Sequence, residues 1–297
     1  MVDGLNTLSP EAKQFYDKVL LYRAVPNLAL TKAAQARNIP RNGGNQVSYR
    51  RFNQIATSTV ALTEAITPPP SALNMTEVTG TVQQYGNYVL ISDQIDMMGI
   101  DPVMTQAADV LGENAGQSVE EIIRAELLNG TSVVFPGTRT ARNQITSTDV
   151  MTFTQVRKGI RNLMRNDTLP FQGDRDENGM NGLFMGYIHP DVYYDLFGDS
   201  TVLNVFTYSD PEMIYQFKMP IMGGVVWIIS TKAPVFTGAG SGGANVYGTF
   251  LFGKNAFGVV NVGGSGKFKT IAKPLGSSGV EDALNQRASQ GWKSFQL

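Results

Sequence analysis

Three consecutive prolines, Pro68, Pro69 and Pro70, stand inside a long strand-like stretch of this chain, and a proline has no N–H to give to a sheet ladder. The stretch from Gln46 to Asp93 therefore cannot be one continuous strand inside a sheet. It predicts two arms of a long hairpin, with the prolines marking a turn or tip between them. Val47, Tyr49 and Arg51 alternate with Ser48, Arg50 and Phe52, and threonine-rich segments follow around Thr57 to Thr63 and Thr76 to Val82. Large apolar side chains are sparse in this excursion. A two-stranded ribbon is marginal in water by itself, so this one is expected to be stabilised by lying on something else, with another subunit as the expected support.

Helices flank it. Ser9-Pro10-Glu11 predicts a helix start, with Phe15, Val19 and Tyr22 on one face and an end before Pro26. Asp101-Pro102 opens the longest predicted helix, residues 102–129, with Gly130 as its stop; Val103, Ala107, Leu111, Ala115, Val119 and Ile122 or Ile123 trace its apolar stripe. Gly112 and Gly116 weaken such a helix by roughly 1 kcal/mol each, which predicts a close backbone approach beside them. Thr154 to Arg165 predicts a helix with Val156, Ile160, Leu163 and Met164 inside and Arg157, Lys158, Arg161 and Arg165 outside. A strand over Leu183 to Ile188 and a helix from Pro190 follow, then strands at Gly224 to Ser230, Tyr247 to Phe252 and through the tail after Phe257. Gly238 to Gly243 has the composition of an exposed loop. The class expected is α+β.

Composition narrows the function. A chain of 297 residues with 42% hydrophobic residues fills a sizeable core, and a net charge of -1 supplies no global field for nucleic acid or an anionic membrane. The absence of cysteine removes disulfides, thiolate nucleophiles and sulfur-held metals and fits a reducing compartment. No secretion signal or membrane-spanning run is legible, so no membrane partner is expected.

Sites for chemistry are weak. Asp174, Asp176, Asn178 and Gly179 reproduce the first half of a calcium loop, but Met185 stands where a bidentate glutamate should complete it, leaving a polar turn as the better reading and a calcium-binding module as a rival. Gly263 to Lys267 resembles a phosphate loop, yet Asn261 and Phe268 occupy two of its required positions. His189 is the sole histidine, so the rival reading of a cytoplasmic hydrolase has to work through it with a nearby acid, and no nucleophile elbow presents a serine. Its place at a strand end before Pro190 fits packing or capping better. Asp93, Asp96 and Asp101 read as solvated carboxylates with Asp101 as a helix cap, and Arg50, Arg51, Arg157, Arg161 and Arg165 as intersubunit or solvated charges. No catalytic residue, cofactor site or metal site is assigned.

The order of these elements resembles the Hong Kong 97 type capsid fold of tailed phages. Several strings are similar to its N-four-type branch: Ile39 to Gly43 leading into Val47 to Phe52, Leu62 to Pro68, Tyr85 to Val89, Ile188 to Val192, and Phe252 to Gly258. The resemblance covers nearly the whole chain. It implies an N-arm over 1–45, an extended loop over 46–92, a peripheral domain over 93–149 with a spine helix at 102–129, an axial domain over 150–248, and closing peripheral strands over 249–297. It further implies a major capsid protein of the virion, made and assembled in the host cytoplasm, that builds pentamers and hexamers of an icosahedral shell around double-stranded DNA without sequence-specific binding. A separate scaffolding protein and a portal are its expected partners, and the sequence leaves open whether a decoration protein binds.

Overall fold

The computed structural model describes residues 20, 28–40, 43–98, 103–171, 175–176, 179–180, 182–209, 221–262, 268–277 and 282–297. Strands β1 (Ala34–Ile39), β2 (Gln46–Phe52), β3 (Met75–Thr81) and β4 (Gln83–Ser92) precede helices α1 (Asp93–Met98) and α2 (Val103–Leu127). Then come α3 (Phe153–Arg165), the short β5 (Arg175–Asp176) and β6 (Gly179–Met180), β7 (Phe184–Ile188), α4 (Pro190–Phe197) and α5 (Ser200–Ser209). β8 (Val225–Ile229), β9 (Val235–Phe236), β10 (Val246–Tyr247), β11 (Phe250–Phe252), β12 (Phe257–Val262), β13 (Lys269–Lys273) and β14 (Arg287–Gln296) follow. The helix expected from Ser9 lies outside the described residues except Leu20, which is helical and buried.

Helix α2 exists because its apolar groups recur every three or four residues. Ala108, Leu111, Ala115, Val119 and Ile123 are buried on one face, and Gly112 and Gly116 lie on the same face. That face packs on β14 and β4 of an antiparallel sheet ordered β13-β14-β4. Trp292 of β14 donates its indole N–H to Asn114 Oδ1 at 3.1 Å, and Phe268 meets the Trp292 ring edge-on at 5.9 Å. The indole thus buries its apolar body without orphaning its donor.

The expectation of a single hairpin excursion over 46–92 holds only as far as Thr81. β2 pairs antiparallel with β3, from Gln46 opposite Thr81 to Phe52 opposite Met75. Gln83–Ser92 instead forms β4, which runs in register with the C-terminal strand from Gln83 opposite Gln296 to Ser92 opposite Arg287. Ten paired residues and the buried Ile91 and Ala288 favour that long-range ladder, which no local pattern announces. Thr57 to Thr63, read as strand from composition, carries no strand; without a ladder partner, threonine's extended preference alone makes none.

A second layer holds the sheet β11-β7-β8, with β7 parallel to β8 and antiparallel to β11. Every residue of β7 is buried. Alternation sends Met185 and Tyr187 into the core shared with α2, and Phe184 and Ile188 into a second core with Val156 and Ile160 of α3 and Val192 and Leu196 of α4. Between them Gly186 leaves no room for a side chain, because the Trp227 ring occupies that space. β7 therefore joins the two cores.

Asp199 fastens the helices of this layer. Its carboxylate accepts the Phe153 N–H at the start of α3 at 3.0 Å and the Thr201 N–H at the start of α5 at 2.9 Å. These two backbone donors, Phe153 first, hold its pKa below the ordinary carboxylate value. Stability from Asp199 is thus present above the ordinary carboxylate range and disappears as pH falls through the lowered folded-state value. Asp199→Ala should cost about 1–2 kcal/mol at neutral pH, as loss of an N-cap does. The gap from the parent should shrink below about pH 4, which thermal unfolding across a pH series checks.

Candidate functional site

The region that demands explanation is the β2–β3 hairpin and what extends from it. Its base is anchored. Val47 is buried against Ile39 and Val260, with Tyr49, Val82 and Leu297 packed around them. The Tyr49 hydroxyl donates to the Val259 carbonyl at 3.0 Å, Arg37 stacks its guanidinium 5.0 Å from the Tyr49 ring centre, and Arg37 Nη1 donates to the Ser48 carbonyl at 2.6 Å. Burial pushes the Tyr49 phenol up, and the Arg37 charge partly opposes this. Gly258 is a requirement of the same joint: the Tyr49 ring sits where its side chain would be. β1 and β12, paired in parallel, are therefore the mount for the hairpin.

Beyond the mount, support ends. The Asn53 N–H donates to the Asn74 carbonyl at 2.9 Å, and residues 54–73 then form no strand or helix and are exposed throughout. The three prolines lie in this segment, as expected of residues that reject a ladder. Its apolar side chains have no shelter: Val60 is 81% exposed and Leu62 76%, with Ile55, Ile66 and Leu73 also open. Arg50 and Glu77 approach to 3.6 Å across the hairpin, but both are solvated, so the pair contributes little.

A second apolar surface lies nearer the body. Tyr88, Val89 and Leu90 on the edge strand β4, Ile95, Met97 and Met98 on α1, and Val110 on α2 are exposed. Helix α1 has six residues and none is buried. So short a helix is not stable by propensity and needs a packing surface. Large exposed apolar side chains on three elements that contact one another mark surfaces that other protein covers.

The candidates for chemistry do not converge. His189 is the N-cap of α4: its Nδ1 accepts the Asp191 N–H at 3.2 Å and lies 3.3 Å from Asp191 Oδ2, and its ring is 5.1 Å from that of Tyr247. Among the described residues no serine or threonine hydroxyl bonds to it. Asp176 sits in the two-residue strand β5, paired with β6, while Asp174 and Asn178 lie outside the described residues, as do Asp101 and Gly263 to Lys267. Among the described residues no three histidine or acidic side chains gather to hold a metal ion. Asp93 accepts the N–H of its neighbour Gln94 at 2.8 Å, and Asp96 is exposed. No described helix is long and apolar enough to cross a membrane.

Residues 76–293 match the model of a family described as phage capsid protein. The fold is similar to the capsid asymmetric unit of cyanophage Pam1, with a TM-score of 0.68 at 18% identity over 100% of this chain and 90% of that one. It is also similar to the capsid of Ralstonia phage GP4, with a TM-score of 0.65 at 12% identity over 89% and 82% of the two chains. The capsid of Helicobacter pylori bacteriophage KHP30 gives 0.65 at 13% identity over 100% and 85%. No curated protein sequence matches.

Proposed function

The chain belongs to the phage capsid protein family, and from that premise we propose that it builds the pentamers and hexamers of an icosahedral head enclosing double-stranded DNA. It is a major capsid protein with the Hong Kong 97 type α+β fold, a structural subunit and not an enzyme. The observation that carries the reading is the hairpin: anchored at Tyr49 and Val47, it presents an unsupported apolar segment over 54–73 that a neighbouring copy would cover.

In this reading residues 1–45 are the N-arm and 46–82 the extended loop, shortened from 46–92 because β4 pairs with β14. Residues 83–149 and 249–297 are the peripheral domain around the spine helix α2, and 150–248 the axial domain around β7. The strings from Ile39 to Phe52 and from Tyr85 to Val89 support the N-four-type branch. Assembly in the host cytoplasm with a scaffolding protein and a portal belongs to the same proposal. The packaged DNA would meet a subunit of net charge -1, which fits confinement without sequence readout.

The test is electron microscopy and sedimentation of the purified chain, alone and with a co-expressed scaffolding protein. Closed megadalton particles are expected in at least one of the two. A compact monomer or dimer at every concentration in both, with 54–73 folded on its own body, would overturn the proposal.

A further inference from the structure

Helix α3 is unusual for a chain of balanced charge. It carries Arg157, Lys158, Arg161 and Arg165 and no acidic residue. At 3.6 residues per turn the four fall within roughly one third of the helix circumference. They line a groove of about 880 Å³ together with the apolar groups of Phe153, Ile160 and Met164. Among the described residues none of the four has an acidic or hydrogen-bonding partner.

Helix α4 is the complement. Asp191, Tyr194 and Asp195 stand three and four residues apart and so share one face. Tyr194 is 79% exposed. The Asp195 carboxylate has no cation or hydrogen-bond donor among the described residues, and burial, with the neighbouring Asp191 charge second, raises its pKa. A carboxylate so placed is stabilised by any cation that arrives. α4 does not line the groove on its own chain, so the two faces cannot satisfy each other within one subunit.

We propose that the α3 groove receives the α4 face of a second copy, with Tyr194 entering among the arginines and Asp191 and Asp195 meeting their charge. Both helices pack on one core, so a single rigid body carries the two different surfaces. Two different surfaces that meet make a head-to-tail contact, the kind that closes into rings. Tyrosine and arginine are also the side chains that most often dominate interface energies. A nucleic acid is the poorer occupant, because the cationic stripe is only about 12 Å long and the rest of the chain is net acidic. The inference rests on the shell-building reading and adds a contact to it.

Charge reversal tests it on the full chain. Arg161→Glu and Asp195→Lys should each lower the yield of closed particles about tenfold or more, as like charges facing across an interface do. The double variant should recover most of the yield. Tyr194→Ala should also lower it while leaving the thermal unfolding midpoint of the subunit unchanged. Wild-type particles alongside normal yields from the single variants would overturn this contact alone. Loss in Arg161→Glu, normal yield in Asp195→Lys and no rescue in the double variant would place a polyanion such as DNA in the groove and overturn it too. Should Asp195→Lys not fold, normal yield from Tyr194→Ala or Arg161→Glu has the same force. Wild-type chain that forms no particles under any condition overturns the shell-building reading itself.

Discussion

Exchanging residues 54–73 for an Asn-Gly turn is expected to give a subunit that folds as the parent does and forms no closed shell. The graft is compatible with the body, because Asn53 and Asn74 already close the β2–β3 ladder through the 2.9 Å bond, and Asn-Gly is the favoured two-residue connection between antiparallel strands. The body loses no buried group, since the whole segment is exposed. What disappears is Ile55, Val60, Leu62, Ile66 and Leu73, each worth about 1.5–3 kcal/mol if a neighbour buries it fully. The segment's own body offers those side chains no cover, so it keeps one place only where a neighbour covers them. The expected thermal midpoint matches that of unassembled parent, while electron microscopy shows free subunits or small oligomers. Shells of normal size and yield from this variant would show that the hairpin's apolar tip is not the clasp.

How far the sequence foretold this site depends on how local each signal is. The ribbon was legible because three prolines and an alternating Val47–Phe52 segment act over a few residues. Helix α2 was legible because its stripe repeats over seven turns, and α4 because His189 and Pro190 mark a start. The partner of β4 was not legible: Gln83–Ser92 alternates weakly, and its ladder is supplied by residues 287–296 at the far end of the chain. α1 is not legible either, because Asp93–Met98 is too short for helical periodicity to register. The arginines of α3 were visible as charges. Their lack of a partner, and the matching face around Tyr194, belong to the packing of two helices on one core and to no local pattern.

Glu120→Pro is expected to yield no soluble, assembly-competent subunit, and the reason lies in what Glu120 holds together. It sits deep in α2 at 2% exposure, and both carboxylate oxygens accept the Leu30 N–H, at 3.1 and 3.3 Å. One turn on, Arg124 donates to the Lys232 carbonyl at 2.6 Å, while Lys232 pairs with Glu121 at 2.9 Å. This stretch of α2 therefore ties the segment before β1 to the loop after β8. Tyr187, buried in the same core, has its phenol pushed up to about 12, chiefly by burial and further by Glu120. A proline in the middle of a helix costs about 3 kcal/mol or more, and an orphaned buried N–H at Leu30 adds about 1–3. Against a total stability of about 5–15 kcal/mol, that sum removes a large share, and it falls where the segment before β1, helix α2 and the second layer meet. Glu120→Gln separates the two contributions: it keeps the helix and one oxygen for the Leu30 N–H, so it should fold, with a lower unfolding midpoint. Far-ultraviolet circular dichroism and the soluble fraction on expression measure both variants. A Glu120→Pro chain that is soluble, fully helical and closes shells would mean that α2 tolerates a break at its centre, and that the body is held by other elements.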